Sequence, residues 1–130
     1  MTTEFLMLAL SVVLGIVHIF ATSIAKTHQY GPQWNVSARD AEMPPLQTIA
    51  GRLARAEKNF LETFPLFAAV VLMADALNRH GAVAVWGSQL YFYARVLYLP
   101  IYAAGIPVLR TLVWSVATLG IVMVFAAPQA

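Results

Sequence analysis

The sequence predicts an all-α integral membrane protein, a single membrane domain over residues 1–130 arranged as an up-down bundle of four helices. Hydrophobic residues make up 60% of the chain and charged residues only 11%, against about 25% charged residues in a soluble domain. The mean hydropathy is +0.71. Apolar stretches take up almost the whole length, so we expect no separate soluble domain.

The first predicted helix covers residues 5–25, which contain no Asp, Glu, Lys or Arg and can cross a hydrocarbon core of about 30 Å. The residues before it carry no Lys or Arg, so we interpret it as a retained helix rather than a signal peptide. His18 in this helix has two interpretations, a packed interhelical histidine or a catalytic base.

A cytoplasmic loop is predicted over residues 26–46, where Gly and Pro residues interrupt the apolar pattern. Further helices are predicted over residues 47–77, 82–104 and 108–127, and their short connections favour antiparallel neighbours. Lys and Arg residues concentrate around the first and third loops, whereas the second loop holds Arg79 alone. The positive-inside rule then puts the first and third loops in the cytoplasm and both termini outside.

Four polar residues follow one face of the second predicted helix: Arg52, Arg55, Asn59 and Glu62. Their spacing of three, four and three residues confines them to an arc of roughly 80°. Strongly apolar sequence follows directly, and charged side chains are costly at bilayer depth. We therefore expect these residues to face a bundle interior, a partner chain or a polar ligand rather than lipid.

The third predicted helix has a stripe of its own, formed by Tyr91, Arg95, Tyr98 and Tyr102 within about 60° of one face. Most of this stripe lies at the cytoplasmic end, at the depth of the polar residues on the second helix. Arg110 opens the fourth helix at the same membrane face. Three helices thus bring guanidinium, amide, carboxylate and phenol groups to one depth.

The balance of these groups predicts the chemistry of a ligand. Arginines outnumber the single carboxylate, and arginine binds carboxylates through paired hydrogen bonds. Glu62 can accept from an ammonium group, and Asn59 can pair with an amide. The expected ligand is a small, net-anionic zwitterion with carboxylates and amide bonds. The alternative is structural pairing without a ligand, such as Arg55 with Glu62 or Arg95 with Glu62.

Other site chemistries find no support in the residues. The chain has no cysteine, so it has no thiolate metal site and no thiol nucleophile of its own. Its three histidines are scattered and it has no HExxH motif or phosphate loop, so we expect no metal site. The net charge of +2 gives no reason to expect nucleic acid as a partner.

The second predicted helix resembles that of the MAPEG family, the membrane-associated proteins in eicosanoid and glutathione metabolism, in the run RLARAEKNFLETFPLF at residues 52–67. The third helix and the turn after it resemble the same family in the run RVLYLPIY at residues 95–102, followed by Arg110. The first loop is most similar to that of bacterial members. Thr63 stands where the family's leukotriene synthases carry a tyrosine, and Glu57 where a glutamine helps to hold the ligand.

The resemblance implies a homotrimer of four-helix subunits that binds glutathione as a co-substrate, in a cytoplasm-facing pocket between subunits. It implies that Arg110 stabilises the glutathione thiolate and that no metal is required. The glutathione-binding candidates are then Arg55, Asn59, Glu62, Tyr98 and Tyr102, together with Lys26 from a neighbouring subunit and the further stripe arginines Arg52 and Arg95.

The leading hypothesis is a glutathione transferase, with peroxidase activity as a variant, that adds the thiolate to a hydrophobic electrophile arriving from the bilayer. The alternatives are a non-catalytic trimeric lipid- or metabolite-binding protein of the same family and a small transporter subunit. The expected partners are further copies of this chain, membrane lipids and the electrophile. The expected location is a bacterial inner membrane, with the site facing the cytoplasm.

Overall fold

The computed structural model describes residues 1–129, and all regular structure within that range is helical. The helices are α1 (Thr3–Tyr30), α2 (Pro32–Val36), α3 (Thr48–Ala76), α4 (Ala82–Ala104) and α5 (Pro107–Phe125). By length and composition, α1, α3 and α5 are long and apolar enough to cross a membrane. These observations confirm the predicted all-helical membrane class.

Helix α4 is not among the helices that qualify as membrane spans by composition. Its hydropathy is lowered by Gln89, Arg95 and several tyrosines. The prediction of four spans is thus supported by composition for three of the four long helices. Contacts join α4 to α1, α3 and α5, so it is an integral part of the packed helices rather than a separate segment.

Helix α1 continues past the predicted end at residue 25 because no helix breaker occurs before Gly31. Gly31 has a φ of +96°, a conformation that favours glycine, and it ends the helix. Pro32 then occupies the first turn of α2, a short helix inside the segment predicted as a loop. At the other end, the Phe5 backbone N–H donates to the Thr2 hydroxyl, which caps α1 at 3.2 Å.

The end of α1 holds the segment that leads into α3. The Gln29 side chain donates to the Pro45 carbonyl at 3.0 Å and accepts from the backbone N–H of Gln47 at 2.8 Å. Both polar ends of this amide are therefore satisfied by the loop. This clasp fixes the start of α3, and with it the polar stripe on that helix.

Aromatic packing joins α3 to α4 in the middle of the structure. The Phe67 and Tyr91 rings stack with their centroids 4.0 Å apart, and both residues are fully buried. The Tyr91 hydroxyl and the Thr63 hydroxyl form a hydrogen bond of 3.0 Å. This buried pair keeps the two polar stripes in register.

Helices α4 and α5 cross at two glycines. A Cβ atom added to Gly87 would lie 2.8 Å from the Gly120 carbonyl oxygen, and one added to Gly120 would lie 2.5 Å from the Gly87 carbonyl oxygen. Ala84, Ser88 and Ala117 are buried on the same helices. Such small residues let two backbones approach closely, as they do in membrane helix pairs.

Candidate functional site

One cavity of about 250 Å³ brings together most of the predicted site residues at the junction of α3, α4 and the start of α5. We call it the site cavity. It is lined by Arg55, Lys58, Asn59, Glu62, Tyr98, Tyr102 and Arg110. Residues from three helices therefore meet at one place, as the two stripes predict.

Tyr102 lies between two guanidinium groups of the site cavity. The Nε–H of Arg55 donates to the Tyr102 hydroxyl at 3.1 Å. The Cζ atom of Arg110 lies 5.1 Å from the centroid of the Tyr102 ring. Both contacts place positive charge against the phenol, one at its oxygen and the other at its ring face.

Arg95 lies behind the site cavity rather than in its lining. It is fully buried, at 0% exposure, and its Nη1–H donates to Asn59 Oδ1 at 2.7 Å. Its Cζ atom lies 4.1 Å from the centroid of the Tyr98 ring. Arg95 thus contacts two lining residues, Asn59 and Tyr98, without lining the cavity itself.

Arg52 is also directed away from the site cavity. Its Nη1–H donates to the Ala103 carbonyl oxygen at 3.1 Å, in the last turn of α4. That carbonyl has no continuing helix to pair with, and a cation is favourable at this helix end. The guanidinium lies against Gly105, where an added Cβ atom would come within 2.6 Å of Arg52 Cζ.

Lys26 lines a second cavity, of about 400 Å³, which we call the side cavity. The side cavity is lined by Lys26, Ala54, Glu57, Lys58, Leu61 and Glu62. Lys58 and Glu62 line both cavities, so the two share a wall on α3. Lys26 therefore does not join the other candidates in the site cavity of the same chain.

The charges of the site cavity are unbalanced. Arg55, Lys58 and Arg110 supply cations, and Glu62 supplies the one carboxylate of the lining. Within residues 1–129 the ion pairs join His80 to acidic residues elsewhere, and Glu62 has no ion-pair partner. Within these residues Glu62 therefore forms no ion pair with Arg55 or Arg95, the structural alternative that the sequence left open.

Lys58 is a lining residue that the sequence analysis did not select. It follows Arg55 by three residues and precedes Glu62 by four, which are helical contact spacings. Lys58 lies just outside the arc of roughly 80° that defines the stripe, and a wider arc includes it. The same helical periodicity could therefore have identified Lys58.

His18 lies outside both cavities. It is buried, and its ring stacks on Phe60 with the centroids 4.9 Å apart. Among residues 1–129 neither ring nitrogen has a hydrogen-bond partner. Of its two interpretations, this position matches the packed histidine. Nowhere in the same range do three His, Asp or Glu side chains come together as ligands for a metal ion.

Comparison with known proteins finds similarity over almost the whole chain. Residues 6–128 match a family model described as the MAPEG family. No curated protein and no solved structure gave a significant match. The matched segment includes every residue that lines the two cavities.

Proposed function

Because this chain belongs to the MAPEG family, we propose that it is a membrane-bound glutathione transferase that joins glutathione to hydrophobic electrophiles. Reduction of lipid hydroperoxides is a second reaction that the same thiolate supports. The observation that supports this proposal most is the convergence of three helices on the site cavity. Its lining includes six residues that the sequence analysis selected for glutathione: Arg55, Asn59, Glu62, Tyr98, Tyr102 and Arg110.

The donors and acceptors of the cavity fit the functional groups of glutathione. Glutathione is an anionic tripeptide with two carboxylates, two amide bonds, one ammonium group and a thiol. Arg55 and Lys58 are suited to carboxylates, and Glu62 to the ammonium group. Asn59 and the tyrosine hydroxyls provide neutral hydrogen-bonding groups for the peptide backbone.

Arg110 is the residue that we assign to the thiol. A guanidinium beside a thiol favours the charged form and lowers the pKa of the thiol from its usual value of about 8.5. The contact of Arg110 with the Tyr102 ring keeps the guanidinium at the cavity. Arg110 thereby raises the fraction of nucleophile near neutral pH, and the thiol proton passes to water.

The bound glutathione supplies the sulfur that reacts. In the transferase reaction the sulfur electron pair forms a bond to the electrophilic carbon, whose leaving group departs with its bonding pair. In the peroxidase reaction two glutathione molecules are oxidised to the disulfide while a hydroperoxide is reduced to an alcohol and water. The residues of the cavity contribute by positioning the thiol and stabilising its charge.

We propose that α4 is the fourth membrane span. Its polar residues Arg95, Tyr91 and Ser88 are fully buried, so they lower its hydropathy without facing lipid. Its exposed side chains include Tyr93 and Leu97, which suit a lipid face. An up-down bundle of four helices follows, with both termini on the same side of the membrane.

We also propose a homotrimer, with the site facing the cytoplasm of a bacterial inner membrane. Arg55, Lys58 and Glu62 are exposed on the surface of a single chain, in the first half of α3. Charged groups at bilayer depth require protein or water around them rather than lipid. A neighbouring subunit on this face supplies that cover, and its Lys26 then reaches a site that the Lys26 of the same chain does not line.

The test of activity uses the full chain reconstituted in lipid vesicles. We expect the wild type to join glutathione to an aromatic halide and to reduce a lipid hydroperoxide, and Arg110→Leu to have both activities strongly reduced at neutral pH. Arg39→Leu is the matched control, because Arg39 stacks on Trp34 outside both cavities. A wild type that binds glutathione but turns over neither substrate is a binding protein, and the proposed activity is then wrong.

A further inference from the structure

We infer that Arg95 is a positioning residue that fixes which end of the Asn59 amide faces the ligand, and so selects a hydrogen-bond acceptor in the ligand at that point. The inference rests on the proposed function, since it concerns the same glutathione site. It gives Arg95 a role different from direct binding, because Arg95 does not line the site cavity.

The orientation of the Asn59 amide follows from the chemistry of its partner. A guanidinium has only hydrogen-bond donors, so the group that meets it must be the amide oxygen. The Nη1–H of Arg95 donates to Asn59 Oδ1 at 2.7 Å, a short distance typical of a hydrogen bond from a charged donor. The Asn59 NH2 group, on the other branch of the amide, is left for the cavity that Asn59 lines.

Arg95 is itself held in place by aromatic rings. Its guanidinium lies 4.1 Å from the Tyr98 ring centroid and 5.5 Å from that of Phe60. Phe60 in turn stacks on His18 and packs against Gly15, where an added Cβ atom would lie 3.0 Å from the Phe60 ring. The guanidinium therefore has little freedom to release Asn59.

Burial strengthens the effect of this one hydrogen bond. Arg95 has no exposed surface, so water does not compete for its Nη1–H. Among residues 1–129 its Nε and Nη2 atoms have no hydrogen-bond partner, and its Nη1–H donates to Asn59 Oδ1. Turning the amide over would place the NH2 group against a buried cation, which is strongly unfavourable.

A specificity follows for the ligand. The group opposite Asn59 must accept a hydrogen bond, so it is a carboxylate or an amide carbonyl oxygen rather than an N–H group. In Asn59→Asp the new carboxylate still accepts from Arg95, but it presents an oxygen to the ligand where the wild type presents a donor. A substitution that hardly changes size should therefore abolish recognition.

The experiment is a double-mutant cycle on the full chain in detergent, with glutathione titrated by calorimetry. We expect Arg95→Met to raise the Kd for glutathione about tenfold. This is the size of effect expected when the hydrogen bond from a buried charged donor that orients Asn59 is lost. Combined with Asn59→Ala, Arg95→Met should add no further loss, because its effect passes through Asn59. Arg39→Met, which removes an exposed arginine outside both cavities, is the control and should leave the Kd unchanged.

Two further measurements separate positioning from a general loss of structure. Asn59→Asp keeps the partner of Arg95 and should retain the wild-type thermal stability while losing glutathione binding. In variants that turn over, the KM for glutathione should rise while the KM for the electrophile stays constant. If the losses of affinity in Arg95→Met and Asn59→Ala add in the double variant, the inference is wrong. Wild-type affinity in Asn59→Asp would also overturn it, and either result leaves the proposed function standing. Absence of glutathione binding in the wild type overturns the proposed function and this inference with it.

Discussion

The Nε atom of Arg55 on α3 lies 3.1 Å from the hydroxyl oxygen of Tyr102 on α4, and this hydrogen bond joins the two helices in the lining of the site cavity. Both side chains belong to stripes that the sequence presents on separate helices. Both residues line the cavity. The Tyr102 ring lies near both guanidinium groups, with the Cζ atoms of Arg110 and Arg55 at 5.1 Å and 5.9 Å from its centroid.

Tyr102→Phe tests this relationship. The substitution removes the hydroxyl that accepts from Arg55 but keeps the ring beside Arg55 and Arg110, so Arg55 loses this hydrogen bond. We expect glutathione affinity to fall about threefold to tenfold, as for the loss of one hydrogen bond. Calorimetric titration measures it. Tyr93→Phe is the control, since Tyr93 lies on the same helix outside both cavities, and equal affinities in the two variants would contradict the prediction.

Arg110→Leu should move the pH dependence of the transferase reaction upward. The rate rises with pH as the bound thiol loses its proton, and the guanidinium lowers the pKa of that thiol. Without it the pKa returns toward about 8.5, so the thiolate fraction at neutral pH falls. The ultraviolet absorbance of the thiolate and the pH–rate profile both measure this change. An unchanged profile would show that Arg110 does not act on the thiol.

Gly120→Ala should destabilise the contact between α4 and α5. Its Cβ atom would meet the Gly87 carbonyl oxygen at 2.5 Å, and this atom belongs to the backbone and cannot move aside without separating the helices. We expect a loss of about 1–3 kcal/mol, typical of overpacking. Thermal unfolding in detergent measures it. Gly81→Ala serves as the control because nothing lies within 4 Å of its added Cβ, and equal stability in both variants would contradict this packing.

Gly105→Ala should weaken both the turn before α5 and the contact that Arg52 makes there. Gly105 has a φ of +76°, a left-handed conformation that costs about 1–2 kcal/mol in a residue with a Cβ atom. The added Cβ atom would also lie 2.6 Å from Arg52 Cζ, so the guanidinium would have to move away. We expect lower thermal stability and lower transferase activity, because this turn sets the position of Arg110. Full activity in a destabilised variant would separate the turn from catalysis.

The sequence alone was sufficient to place Arg55, Asn59 and Glu62 on one wall of the site cavity. Helical periodicity determines which face of the helix a residue occupies, and three of the four stripe residues line the cavity. Arg52 belongs to the same stripe, but its long side chain reaches the Ala103 carbonyl oxygen instead. Periodicity gives the face of the Cα atom and does not determine where a flexible side chain ends.

The position of Arg95 depended on tertiary packing. The spacing on α4 placed it beside Tyr98, and the structure does bring these two side chains together. Whether a guanidinium lines a cavity or is buried behind it depends on the rings from other helices, here Phe60 on α3. Local spacing carries no information about that contact. The end of α1 at Gly31 rather than near residue 25 is a simpler case, because a turn residue was present in the sequence.

The most direct test of the account is a calorimetric titration of glutathione into the detergent-solubilised full chain, comparing the wild type with Arg55→Ala, Glu62→Ala and Arg39→Ala. The account predicts saturable binding by the wild type and by Arg39→Ala, and loss of binding in the two site variants. Binding of equal strength in all four proteins, or no binding by the wild type, would contradict it.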